Sequence, residues 1–215
     1  MFRFYRRVEL LTYLTSSRAE LETALNRMEE SPPREAGQSQ LQQLGMFFGT
    51  ALYDAVAIAS DTVMRKQQGR KALIIMSHGQ DTGSSTSIST AIEAAQRSDT
   101  LIYSLGFTEP EQGGGRFGRG MAGPDQTRMG LDVLRRLARE TGGRYFDAVS
   151  SGKSLDQTFD LIQEELRNQY SLGYAPDNAN RGYRKIRISV KGRSADVAAR
   201  DGYYPDGGKD RVSLK

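Results

Sequence analysis

The sequence predicts an α/β fold: a mostly parallel sheet flanked by helices, followed by a short β-rich extension. Three observations predict it. Ala72-Leu73-Ile74-Ile75-Met76 is a continuous apolar run of strand length, the pattern of a strand covered on both faces. Apolar stripes at helical spacing flank that run. Leu52, Ala55, Val56, Ala59 and Val63 lie before it, and Ile88, Ala91, Ile92 and Ala95 after it. Thr100 to Leu105 is then a second strand-like run. Strands that alternate with helices belong to parallel sheets whose crossovers cover the faces.

Composition narrows the chemistry. The chain has 215 residues, 37% hydrophobic and 26% charged, enough for one domain of α/β size with a small appendage. It has no cysteine and one histidine, His78. Disulfides, thiol catalysis, cysteine-metal sites and multi-histidine metal sites are therefore excluded. No apolar run reaches about 18 residues, so no transmembrane segment is expected. The start, Met1 to Arg7, carries the positive charge of an export signal, but Glu9 and Thr12 interrupt the stretch from Val8 to Leu14. That stretch reads as a strand, and the chain as given predicts no signal peptide. The compartment stays open. The net charge of +4 fits a solvated surface, and nucleic acid is not an expected partner.

The remaining elements follow in order. Ser17 stands three residues before Glu20, a capping box, and Leu21, Ala24, Leu25 and Met28 continue at helical spacing until Pro32-Pro33. Gly49-Thr50 open the next helix, and Gly69 closes it. Residues 108 to 127 read as a long Gly-rich loop. Leu131, Leu134, Leu137 and Ala138 mark a further helix, closed by Gly142-Gly143. Arg144-Tyr145-Phe146 is a short strand. Ser154 with Gln157 is a second capping box, for a helix lined by Leu155, Phe159, Ile162 and Leu166. After Asn168 the pattern turns β-rich over Tyr170 to Tyr174, Tyr183 to Val190 and Ala195 to Ala199, with period-two spacing at Arg184, Ile186, Ile188 and Val190, which reads as an antiparallel hairpin or small sheet. The expected organisation is an α/β domain over 1–168, a β-rich extension over 169–205 and a disordered tail over 206–215.

Ligands of open α/β sheets sit at the loops beyond the C-terminal strand ends. Two such loops stand out. One holds Gly49 and Thr50, the other Ser77, His78, Gly79 and Asp81. The runs Gly49 to Ala55, Gly69 to Ser77, Glu93 to Ser104 and Leu137 to Phe146 together resemble a von Willebrand factor type A domain. Leu166 to Tyr174 and Arg200 to Pro205 resemble its acidobacterial-type, VWFA-related subgroup. The resemblance covers about Val8 to Pro205.

The resemblance implies a Rossmann-like sheet, a protein-binding or adhesion role without catalysis, a bacterial source and a location that is extracytoplasmic for many relatives. It also implies a divalent-cation adhesion site, with Asp-x-Ser-x-Ser in a first loop, Thr in a second and Asp in a third. Thr50 matches the second position, His78 stands where the third-loop Asp would be, and Asp81 is displaced from it by three residues. The given chain starts past the family's first strand and first loop. The site is thus degenerate, with Thr50 and Asp81 the only metal-ligand candidates. No cofactor is expected, and Mg²⁺ or Mn²⁺ would bind only if the first-loop motif were supplied. A missing central strand would leave one core face uncovered, and the upstream reading frame is expected to encode Asp-x-Ser-x-Ser.

Sharper alternatives compete. The loop from Ser77 to Thr86 is similar to a phosphoribosyltransferase diphosphate loop, whose amides and hydroxyls cradle phosphate. Ser77 and His78 replace that loop's acidic pair. Gly152-Lys153-Ser154 is like the end of a P-loop, but Asp147 stands where its first Gly belongs, and a helix cap is the simpler reading. Gly113 to Gly120 is an Arg-Gly segment of the kind that stacks on RNA, or a flexible insertion. His78 has no Gly-x-Ser-x-Gly nucleophile to serve. Two readings therefore stand: a protein-binding module, or a phosphate-handling enzyme using residues 77 to 86.

Overall fold

The structure, a computed structural model, describes residues 1–5, 7–29, 50–107, 124–170, 172–173, 182–192 and 197–205. It is an α/β fold. Strands β3 (Lys71–Ser77), β4 (Thr100–Gly106) and β5 (Tyr145–Asp147) form a parallel sheet in the order β3-β4-β5. Ahead of it, β1 (Phe2–Phe4) and β2 (Val8–Leu10) form an antiparallel hairpin, Phe2 opposite Leu10, followed by α1 (Arg18–Glu29). The strand expected from Val8 to Leu14 thus stops at Leu10, and the basic start forms its partner. The exchange of Phe2 and Phe4 with Val8 and Leu10 rewards the hairpin with cross-strand apolar pairs.

Period-two alternation distributes the sheet between two cores. On one face, Ile75 and Ile102 pack with Leu52 and Val56 of α2 (Leu52–Ile58), Ala91, Ile92 and Ala95 of α3 (Ile88–Arg97), and Leu134 and Leu137 of α4 (Pro124–Thr141). On the other, Tyr103 and Leu105 pack with Ile162 of α5 (Leu155–Arg167). Leu52, Ile102, Leu105, Leu134 and Leu137 are fully buried, each contributing about 1.5–3 kcal/mol. The stripe read for α2 is buried throughout, but its last residues lie in a wider π-turn, Ala59–Val63, and a tight turn, Met64–Lys66. The helix therefore ends before Gly69.

The caps explain where the other helices stop and start. Ser87 accepts from the Thr90 amide at 3.1 Å. Ser154 and Gln157 make the expected capping box, so Gly152-Lys153-Ser154 is a helix start. At the end of α4, the Gly143 amide donates to the Ala138 carbonyl and the Gly142 amide to that of Arg139, with Gly142 at φ +86°. This is a Schellman turn, which favours glycine at that backbone angle. At its other end α4 reaches back to Pro124, into the stretch expected as loop. Residues 108–123 lie outside the described residues.

One expectation is corrected. Among the described residues β3 is well covered on one face only. Ile74 and Met76 alternate with Ile75 toward the α5 side, where they are 44% and 47% exposed; of β3, only Ala72 joins the cluster that Ile162 of α5 forms with Tyr103 and Leu105. Among the described residues β4 is the sole strand paired with β3. Between its open edge and the β1–β2 hairpin lies an apolar groove of about 240 Å³, bounded by Phe2, Phe4, Leu10 and Leu52 opposite Leu73 and Ile75. The apolar run reported strand identity correctly but not how many neighbours the strand has. In the β-rich extension the antiparallel pairing is short. β6 (Arg184–Lys185) is antiparallel to β7 (Gly202–Tyr203), and Ile188 and Val190 are 39% and 50% exposed. Anchoring on the domain explains this register. Arg97 lies 4.2 Å over the Tyr204 ring, Tyr183 packs against Tyr204 in a tilted arrangement with ring centroids 5.1 Å apart, and Arg200 pairs with Asp99 at 2.8 Å. The tail from 206 to 215 lies outside the described residues.

Candidate functional site

The three parallel strands finish level. Ser77, Gly106 and Asp147 are register partners at the last row of the sheet. Beyond that row, the loop after β3 folds across the start of α2. Four of the sequence-predicted residues come together here with Thr50. Gly49 lies outside the described residues.

The contacts are built from α2 upward. Its N-cap position is Ala51, which has no side-chain acceptor. The first-turn amides of a helix need one. They find it in the loop, about thirty positions along the chain. The Tyr53 amide donates to Asp81 Oδ2 at 2.9 Å, and the Asp54 amide to Ser84 Oγ at 3.0 Å. Ser84 Oγ in turn donates to Asp81 Oδ2 at 2.6 Å, and the Ser84 amide donates to Asp81 Oδ1 at 3.1 Å. Asp54 reaches back the other way. It accepts from the Ser85 amide at 3.0 Å, the Thr86 amide at 2.8 Å and the Ser85 hydroxyl at 3.1 Å. Thr50 completes the bracing. Its hydroxyl donates to the Gln80 carbonyl, and its own carbonyl accepts from the amides of Thr82 at 3.3 Å and Gly83 at 3.1 Å.

Gly79 fixes the other side of the loop. It has φ +78°, and its amide donates to Ser77 Oγ at 3.0 Å. A Cβ there would come within 1.9 Å of the Gly130 carbonyl oxygen in α4. Only a glycine combines that backbone angle with that approach. The turn carries His78, which is exposed, next to a buried Gly79. Thr82, Gly83 and Ser85 form the exposed rim further along.

Electrostatics follow the same contacts. Burial pushes the Asp54 carboxyl up, but the hydrogen bonds from Thr86 and Ser85 outweigh it and hold the group below its ordinary 3.8. Burial, then the charge of Asp81, raises the Tyr53 phenol, and Arg136 opposes them. At the end of β5, the Ser150 amide holds Asp147 below its ordinary value, against partial burial and together with the Val149 amide. On the opposite face, burial and the neighbouring Glu165 push Tyr103 up to about 12.

This arrangement decides what the predicted residues are free to do. Asp81 uses both oxygens on Tyr53 and Ser84, and the Thr50 hydroxyl is spent on Gln80. Among the described residues no group of three or more carboxylate or histidine side chains is placed to hold a metal ion. The amides of Ser84, Ser85 and Thr86 point at Asp81 and Asp54 rather than into open space. The Ser84 and Ser85 hydroxyls are turned to the same carboxylates, while His78 and Thr82 are exposed. The sequence placed Ser84, Ser85 and Thr86 only in the phosphate-cradle alternative, and gave Tyr53 and Asp54 no role at the site. Hydroxyl residues ahead of a helix ordinarily cap that helix. Here Ser87 caps α3, which leaves Ser84 free to cap α2. An Asp one turn inside a helix whose N-cap is Ala was the available signal.

Neither a protein-family model nor a curated protein matches this chain. Among solved structures, an uncharacterized membrane-spanning protein from Vibrio fischeri matches over 76% of this chain and 73% of its own, at 21% identity and a TM-score of 0.35. That likeness assigns no role to any residue above. No helix among the described residues is long and apolar enough to cross a membrane.

Proposed function

We propose that the chain is a von Willebrand factor type A-like protein-binding module, without catalytic activity, that contacts its partner through the loops at the C-terminal end of the parallel sheet. The observation that carries this reading is the two-way bracing of the loop from Ser77 to Thr86 against α2 by Asp81, Ser84 and Asp54. A loop held in this way presents His78, Thr82, Gly83 and Ser85 in fixed positions, and little ordering entropy is lost when a partner binds. Recognition residues characteristically lie on loops held by a rigid scaffold. The adhesion site of this reading is degenerate: Thr50 and Asp81 serve the loop, and Mg²⁺ or Mn²⁺ would need further ligands from an Asp-x-Ser-x-Ser segment. An extracytoplasmic, bacterial setting belongs to the same reading. No specific contact favours the phosphate-handling alternative, since the amides it requires face the two carboxylates.

Paired charge substitutions test it. Thr82→Arg places a long cation on the rim, and Gln68→Arg does the same in the exposed turn before β3, at the opposite end of the sheet. Affinity capture from the native cell envelope should lose at least one protein about tenfold or more with Thr82→Arg, as expected for a desolvated contact at about 1.4 kcal/mol per decade. Gln68→Arg should retain it. Equal capture by both variants overturns the assignment of the surface.

A further inference from the structure

We draw no further inference here: the strongest candidate, the apolar groove between the β1–β2 hairpin and the open edge of β3, is an unpartnered face, and nothing in the structure shows what covers it.

Discussion

The end of β3 and the side of β3 are finished in opposite ways. At its end, Asp81, Ser84 and Asp54 close a circuit of hydrogen bonds with the first amides of α2. Along its side, Ile74 and Met76 are exposed and the strand has one described neighbour. The end is held by directional bonds that tolerate few alternatives. The side is held by packing on one face, with an apolar groove next to it. The difference teaches where rigidity resides. The loop that carries the proposed contacts is fixed by hydrogen bonds to a helix, not by the sheet beside it.

Three substitutions or conditions probe that contrast, in falling order of effect. The largest is Gly79→Ala. Strain at φ +78° and the collision with the Gly130 carbonyl each contribute about 1–3 kcal/mol. Denaturant unfolding should therefore show a loss of about 2–5 kcal/mol. A loss below about 1 kcal/mol would mean that α4 does not lie against this turn.

Acid comes next. The folded-state pKa of Asp54 lies below its ordinary 3.8. The stability it contributes is therefore fully present above the unfolded value and disappears as the pH falls through the folded value. Unfolding midpoints should hold steady near neutrality and fall below about pH 4. Asp54→Asn should be less stable at neutral pH and show a shallower acid decline. Parallel acid curves for the two proteins would remove Asp54 from the clamp.

The smallest effect belongs to the side of the strand. Ile74→Ser replaces a side chain that is 44% exposed, and surface changes of this kind stay within about 0.5 kcal/mol. A cost above about 1.5 kcal/mol would break the comparison, because the edge would then be covered in solution.

Those same two regions mark how far the sequence could be read. Helices α3, α4 and α5 were legible because their signals are local: the stripes at Ala91-Ile92-Ala95 and Leu134-Leu137, the Ser154–Gln157 box, and Gly142-Gly143. The strand run from Ala72 to Met76 was legible for the same reason, and the position of Thr50, Ser77, His78, Gly79 and Asp81 at one end of the sheet followed from it. Three features were not legible. The cap of α2 comes from residues of the next loop, about thirty positions away in the chain. Strand β3 has an apolar run that fits an interior position, although of that run only Ala72 joins the α5-side cluster, and Ile74 and Met76 are exposed. The register of β6 with β7 depends on aromatic and ionic anchoring to α3 and Asp99 rather than on its own alternation. Each of these is a contact between segments distant in sequence, where periodicity carries no information.

Site-specific photo-cross-linking tests the central claim most directly. A photoreactive phenylalanine analogue is placed at Thr82 on the loop rim, and separately at Gln68 before β3; both positions are exposed. Each protein is irradiated in its native cells, and adducts are identified by mass spectrometry. The account predicts a discrete protein adduct from Thr82, competed away by excess unlabelled wild-type protein, and none from Gln68. Adducts of equal yield from both positions, or from Gln68 alone, would contradict a recognition surface at the C-terminal end of the sheet.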